Sequence, residues 1–159
     1  MRLTAIRTVS TLGVLALLVG LSAYAQQASN MGILRDKLAA DKKLLVASNL
    51  PLTTAQAETF WPIYESYQRE LEAINRRTGA LIVNYAQAYN AGPVSDAKAT
   101  ELVDEYIAIE EAEVALKKSY AARLSDSVSA TVAARYLQIE QKIRAIVKYD
   151  LASEIPLVE

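Results

Sequence analysis

The run LTTAQAETFWPIYESYQRELEAINRRTGALIVNYAQAYN, Leu52 to Asn90, decides the fold. Phe60, Tyr64, Tyr67, Leu71, Ile74, Thr78, Leu81, Tyr85 and Ala88 follow one another in steps of four and three. All but Thr78 are apolar or aromatic. This alternation puts one stripe along a helix and seats it lengthwise on another helix. A strand would need period two, which the run lacks. Thr53 and Gln56 make a Thr-x-x-Gln capping box at the start, with Leu52 before it as a staple. Ala91-Gly92-Pro93 ends the helix, and Gly92 suits a left-handed C-cap. Pro62 falls inside, at ~3 kcal/mol in an ordinary helix interior. The stripe keeps register through Pro62, so a bend is expected there and not a break.

Working outward, a first helix is expected from about Met31 to Ser48, with Met31, Leu34, Leu38 and Leu45 on one face. Asp41 weakens that stripe, and Asn49-Leu50-Pro51 ends the helix, because the residue before proline avoids the α region. Ser95 caps a third helix to about Leu124. Its main stripe is Leu102, Tyr106, Ile109, Glu113, Leu116 and Tyr120, and a second row holds Val103, Ile107, Val114 and Ala121. A charge such as Glu113 in a buried stripe requires a partner or an edge. Ser127 or Ser129 caps a fourth helix to about Ala152, faced by Val128, Val132, Tyr136, Ile139, Ile143, Ile146 and Val147.

The short 91–94 link makes helices two and three antiparallel neighbours. Tyr85 then lies near Leu102, Thr78 near Ile109 and Tyr67 near Tyr120, with Arg76 and Arg77 level with Glu110 and Glu111. The expected fold is all-α: an antiparallel hairpin of long helices with shorter flanking helices. The hairpin alone leaves the second row of helix three bare. A flanking helix or a second copy must cover it, and a homodimer is expected.

The first residues have a different character. Arg2 and Arg7 precede an apolar run, Leu12 to Leu21, and then Ser22-Ala23-Tyr24-Ala25. Small residues at Ala23 and Ala25 suit a signal peptidase, and the run is shorter than the ~20 residues that span a bilayer. Residues 1–25 therefore read as a cleaved secretory signal and 26–159 as one helical domain, with no membrane insertion after cleavage. Without Cys, no disulfide staples this exported chain. Losing Arg2 and Arg7 from 17 basic residues leaves them three short of the 18 acidic ones. Nucleic acid would call for a basic surface, so it is not an expected partner.

Catalytic chemistry is sparse. There is no His and no Cys, so the commonest general base, metal ligand and thiolate nucleophile are absent together. The five Gly are scattered and form no phosphate loop. Glu101, Asp104, Glu105, Glu110, Glu111 and Glu113 spread around helix three as a solvated acidic face. No metal, no cofactor and no enzymatic activity are expected. The core claims Tyr64, Tyr67, Tyr85, Tyr106 and Tyr120, while Trp61 lies off the stripe.

Leu52-Thr53-Thr54-Ala55-Gln56 matches an LTxxQ motif. A Cys-free exported helical chain with that motif heading its long helix resembles the Spy/CpxP family of periplasmic proteins. The resemblance covers about Met31 to Ala152. The place of a second LTxxQ holds Leu124-Ser125-Asp126-Ser127-Val128, which lacks the Gln. The resemblance implies a Spy-like dimeric hairpin in the periplasm, acting as an ATP-independent chaperone or an envelope stress-response adaptor. Its partners would be non-native proteins or one envelope protein. Trp61 and Tyr89, with Arg69, Arg76 and Arg77, are then the candidate client-binding residues, and Arg135, Lys142 and Arg144 extend the basic surface. Mass spectrometry of the exported protein is expected to find Gln26 at the N-terminus. Full-length chain retained in the inner membrane would contradict the signal reading.

Overall fold

The computed structural model describes residues 40–158. The chain divides into two units, Met1–Ala47 and Ser48–Glu159. The signal segment and Met31, Leu34 and Leu38 of the expected first helix lie outside the described residues. What is described is all-α, with four helices and no strand. The described part of α1 covers residues 40–49 and stops before Pro51, as the proline requires. Leu45, expected on its apolar face, is 47% exposed.

The second unit is built on α2 (Thr54–Ala91), α3 (Asp96–Ser127) and α4 (Ala130–Glu154). The 38 residues of α2 make a rod about 57 Å long. It starts at the capping box: the Thr53 hydroxyl accepts from the Gln56 backbone N–H at 3.3 Å, and Gln56 Oε1 accepts from the Thr53 N–H at 3.0 Å. The helix runs through Pro62 as one element. It ends at Gly92, whose φ of 129° is strained for any side chain. Its ψ of −162° differs from the left-handed helical value expected at this cap.

Ser95 caps α3, accepting from the Lys98 N–H at 3.3 Å. The expected break at Leu124 comes later, because α3 continues to Ser127. Leu124 is completely buried and anchors that last turn. Val128 and Ser129 alone connect α3 to α4, and Ser129 caps α4 through the Val132 N–H at 3.2 Å. Two short links make α3 antiparallel to both neighbours.

The stripe read from the sequence is the core. Phe60, Tyr64, Tyr67, Leu71 and Ile74 of α2 are buried, with Leu102, Ile109, Leu116 and Tyr120 of α3. Tyr67 meets Tyr120 at 5.3 Å between ring centroids, the register expected for the hairpin. The helix flanking that hairpin proves to be a full third wall. Tyr136 of α4 is completely buried and stands edge-on to Phe60, Tyr64 and Tyr67 at 5.3, 5.8 and 5.8 Å. Each such pair adds about 0.5–1.5 kcal/mol beyond burial. Gln68 Nε2 donates to the Tyr136 hydroxyl at 3.1 Å, and the Tyr120 hydroxyl donates to Glu70. Only the Tyr67 hydroxyl is buried without a hydrogen-bond partner among the described residues.

An unsatisfied buried hydroxyl costs about 1–3 kcal/mol. Tyr67→Phe keeps the ring contacts and removes that cost. Urea unfolding is expected to show stability unchanged or raised. Tyr136→Phe, which strips the Gln68 bond, is expected to lose about 1 kcal/mol. The opposite order would contradict the assignment.

Candidate functional site

Polar groups gather where the three helices meet beyond the aromatic stack. Glu113 of α3 is 1% exposed and Arg144 of α4 is 9% exposed. Arg144 clasps the Glu113 carboxylate with two bonds, one from Nε at 3.2 Å and one from its terminal nitrogen. Its other terminal nitrogen donates to Asn75 Oδ1 of α2 at 2.7 Å. Lys117 adds a contact at 2.6 Å, and Lys148 stands 3.5 Å away. One turn nearer the aromatics, the completely buried Glu140 accepts from Gln68 at 3.3 Å. Burial pushes the Tyr64 hydroxyl up to about 12, helped by the charges of Glu140 and Glu65. Burial likewise raises Tyr67 and Tyr136, with Glu140 next in importance for both.

This cluster serves structure. Glu113 is committed to its cations. The acidic run expected as a solvated face is exposed at Glu101, Asp104 and Glu111 and half-buried at Glu105 and Glu110, with Glu113 the buried exception, and several of these acids are paired. Glu105 takes Arg77 at 3.0 and 3.2 Å, Glu101 takes Lys98 at 2.8 Å, and Glu110 takes Lys148 at 2.8 and 2.9 Å. Arg77 pairs with Glu105 and not with Glu110, which Lys148 of α4 occupies, or with Glu111, which is exposed. An open trough of about 590 Å³ between α2 and α3 is lined by these paired groups, Arg77, Glu101 and Glu105 among them. Among the described residues, no group of three or more carboxylates is placed to hold a metal ion.

The residues proposed from sequence for client binding do not form one site. Trp61 is half-buried and lies edge-on to Phe60 and Tyr64 at 5.1 and 5.4 Å. Tyr89 is half-buried against Tyr85 at 5.9 Å. The two are about 40 Å apart along α2. Arg69 is exposed, Arg76 bonds to Glu72 at 3.2 Å, and Arg77 is taken by Glu105. Arg144, counted with the basic surface, is buried. Leu52, Thr53 and Gln56 form the helix start described above.

The exposed apolar side chains lie elsewhere. Val103, Tyr106, Ile107 and Val114 of α3 are 53%, 55%, 48% and 60% exposed. Tyr106 was expected in the core. On α4, Ile146 is 64% and Tyr149 is 74% exposed. With Lys142 they follow steps of four and three along one face, a pattern present in the sequence but overlooked there. Ile146, placed on the buried face of α4 from sequence, belongs to this outer row. Tyr85 donates to the Pro156 carbonyl at 3.0 Å, which docks the tail, while Leu157 remains 87% exposed.

The chain matches no known family profile, no curated protein and no solved structure. Among the described residues no helix is long and apolar enough to cross a membrane.

The ionisation of Glu113 gives a direct check on the cluster. Burial alone would raise it, but hydrogen bonds and charge from Arg144 and Lys117 outweigh burial and hold it down to about 2, from an ordinary value of 4.5. A group depressed in the folded state adds stability above its unfolded value and loses it as pH falls through the folded one. Melting temperature is therefore expected to fall between pH 4.5 and about 2. In Glu113→Gln the same descent is expected to be shallower. Parallel pH profiles for the two proteins would contradict the cluster.

Proposed function

We propose that this chain is a non-enzymatic binding protein of the periplasm that holds non-native polypeptide segments on the outer face of α4. The observation that carries the reading is the row Lys142, Ile146 and Tyr149, where exposed apolar and aromatic side chains stand beside a cation. Tyrosine buries well and tolerates water, which suits a surface that alternates between bare and covered. The flanking charge keeps a captured complex soluble and speeds the first encounter. The signal-like segment 1–25 and the LTxxQ resemblance to Spy/CpxP proteins support the same reading, as does the lack of His and Cys. A second reading is a stoichiometric stress adaptor for one envelope partner. The row follows helical steps of four and three, which suits a single matching helix.

Without ATP, the purified protein is expected to slow aggregation of a denatured, unrelated client at near-stoichiometric ratio. Ile146→Ser with Tyr149→Ser is expected to remove most of that protection while helicity and melting stay unchanged. Added salt is expected to slow capture more than it loosens a captured client. Absence of any protection by the wild-type protein would contradict the chaperone reading. Capture of one periplasmic protein at fixed ratio would then favour the adaptor.

A further inference from the structure

The bundle loses its third wall before the hairpin ends. Both α2 and α4 are antiparallel to α3, so they run in the same direction, and the bond from Arg144 to Asn75 sets their level. Counting equally along both helices brings Glu154, the last residue of α4, level with Tyr85. From there α2 continues to Ala91, about 9 Å of rod that α4 does not reach. At this point the chain leaves α4 as extended backbone, with Ile155 at φ −90° and ψ 116°. The Tyr85 hydroxyl donates to the Pro156 carbonyl at 3.0 Å. Tyr89 stands one turn further on, 5.9 Å from Tyr85 between ring centroids. Ile82, Ala88 and Tyr89 are half-buried.

We propose that this end of α2 is a seat for one extended, apolar peptide strand, that the 155–158 tail fills it in cis, and that an extended segment of another chain displaces the tail. A hydroxyl that donates to a main-chain carbonyl reads the backbone and not the side chain. It therefore selects extended segments, because the carbonyls of a helix or a sheet are already taken. The tail sits lightly: Leu157 is 87% and Val158 is 56% exposed, so it buries little of its apolar surface. Tethering compensates, since a tethered segment reaches an effective concentration in the millimolar range. A competitor must match that concentration, or be held already at a second point. A polypeptide bound on the outer row of α4 meets the second condition. That link rests on the binding role proposed above, whereas the seat and its cis occupant do not.

Protein expressed from the full-length chain tests the seat by nuclear magnetic resonance titration. The ligand is a capped synthetic peptide of residues 153–158. One variant carries a polar, flexible tail: Ile155→Ser, Pro156→Gly, Leu157→Ser and Val158→Ser. It is expected to bind the peptide at millimolar concentration, with shifts centred on the amides of Tyr85 and Tyr89. The wild type is expected to bind more than about twofold more weakly, because a tail docked most of the time leaves fewer than half of the seats open. Tyr85→Phe in the polar-tail chain removes the donor and is expected to weaken binding about fivefold. Circular dichroism of these variants is expected to match the wild type. Ile146→Ser with Tyr149→Ser is expected to leave the titration unchanged, which separates this test from that of the α4 row. The chain has no Cys, which permits a second readout with the tail otherwise intact. A spin label on Leu157→Cys is expected to broaden the Tyr85 and Tyr89 amides, and added peptide is expected to restore them. No binding by the polar-tail chain, equal binding by the wild type, shifts centred on α4, indifference to Tyr85→Phe, or a label that broadens neither tyrosine would each overturn the proposal.

Discussion

The second unit depends on one buried ion pair, Glu113 with Arg144. A carboxylate at 1% exposure cannot remain charged alone. It remains charged here because the planar Arg144 fork reaches it from α4 and Lys117 reaches it from one turn away on α3. Arg144 in turn satisfies Asn75, so one guanidinium touches all three long helices. Buried pairs of this kind are weak sources of net stability, because desolvation offsets attraction. Their value lies in registry. Sliding α4 by one turn would leave Glu113 and Arg144 unpaired in the interior, and the apolar contacts alone would tolerate such a slip far better.

Fixing α4 in this way determines what stays outside. The interior is filled by the aromatic stack at one end and the polar cluster beyond it. Because α3 touches α2 on one side and α4 on another, its third side has no neighbour in the second unit. Val103, Ile107 and Val114 lie there. The same logic leaves Ile146 and Tyr149 on the far side of α4. Both surfaces follow from the angular position that the ion pair imposes on α4, and both functional readings use what that position exposes.

Much of this was legible in the sequence. The four-and-three stripe from Phe60 to Ile74, the capping box and Gly92-Pro93 are local signals, and the hairpin register follows from the short 91–94 link. The seating of α4 was not legible. Its buried face carries Glu140 and Arg144, residue types that read as surface, so its true contact line was masked and Arg144 was counted with the exposed cations. Ile146, assigned to the buried face by periodicity, lies outside it for the same reason. Tyr106 was misplaced because it shares the main stripe of α3, yet is 55% exposed. Trp61 and Tyr89 were chosen for lying off the stripe or near an end, but neighbouring rings cover each of them.

The most direct test of this account is a double-mutant cycle on the ion pair. Glu113→Leu, Arg144→Leu and the double variant are compared with the wild type by urea unfolding. Each single change leaves one buried charge without its partner and is expected to cost about 3–5 kcal/mol. The double change removes both charges and is expected to recover most of that loss, a coupling far above the ~0.5 kcal/mol within which independent sites add. Single losses below 1 kcal/mol that simply sum in the double variant would contradict the claim that this pair holds the helices in register.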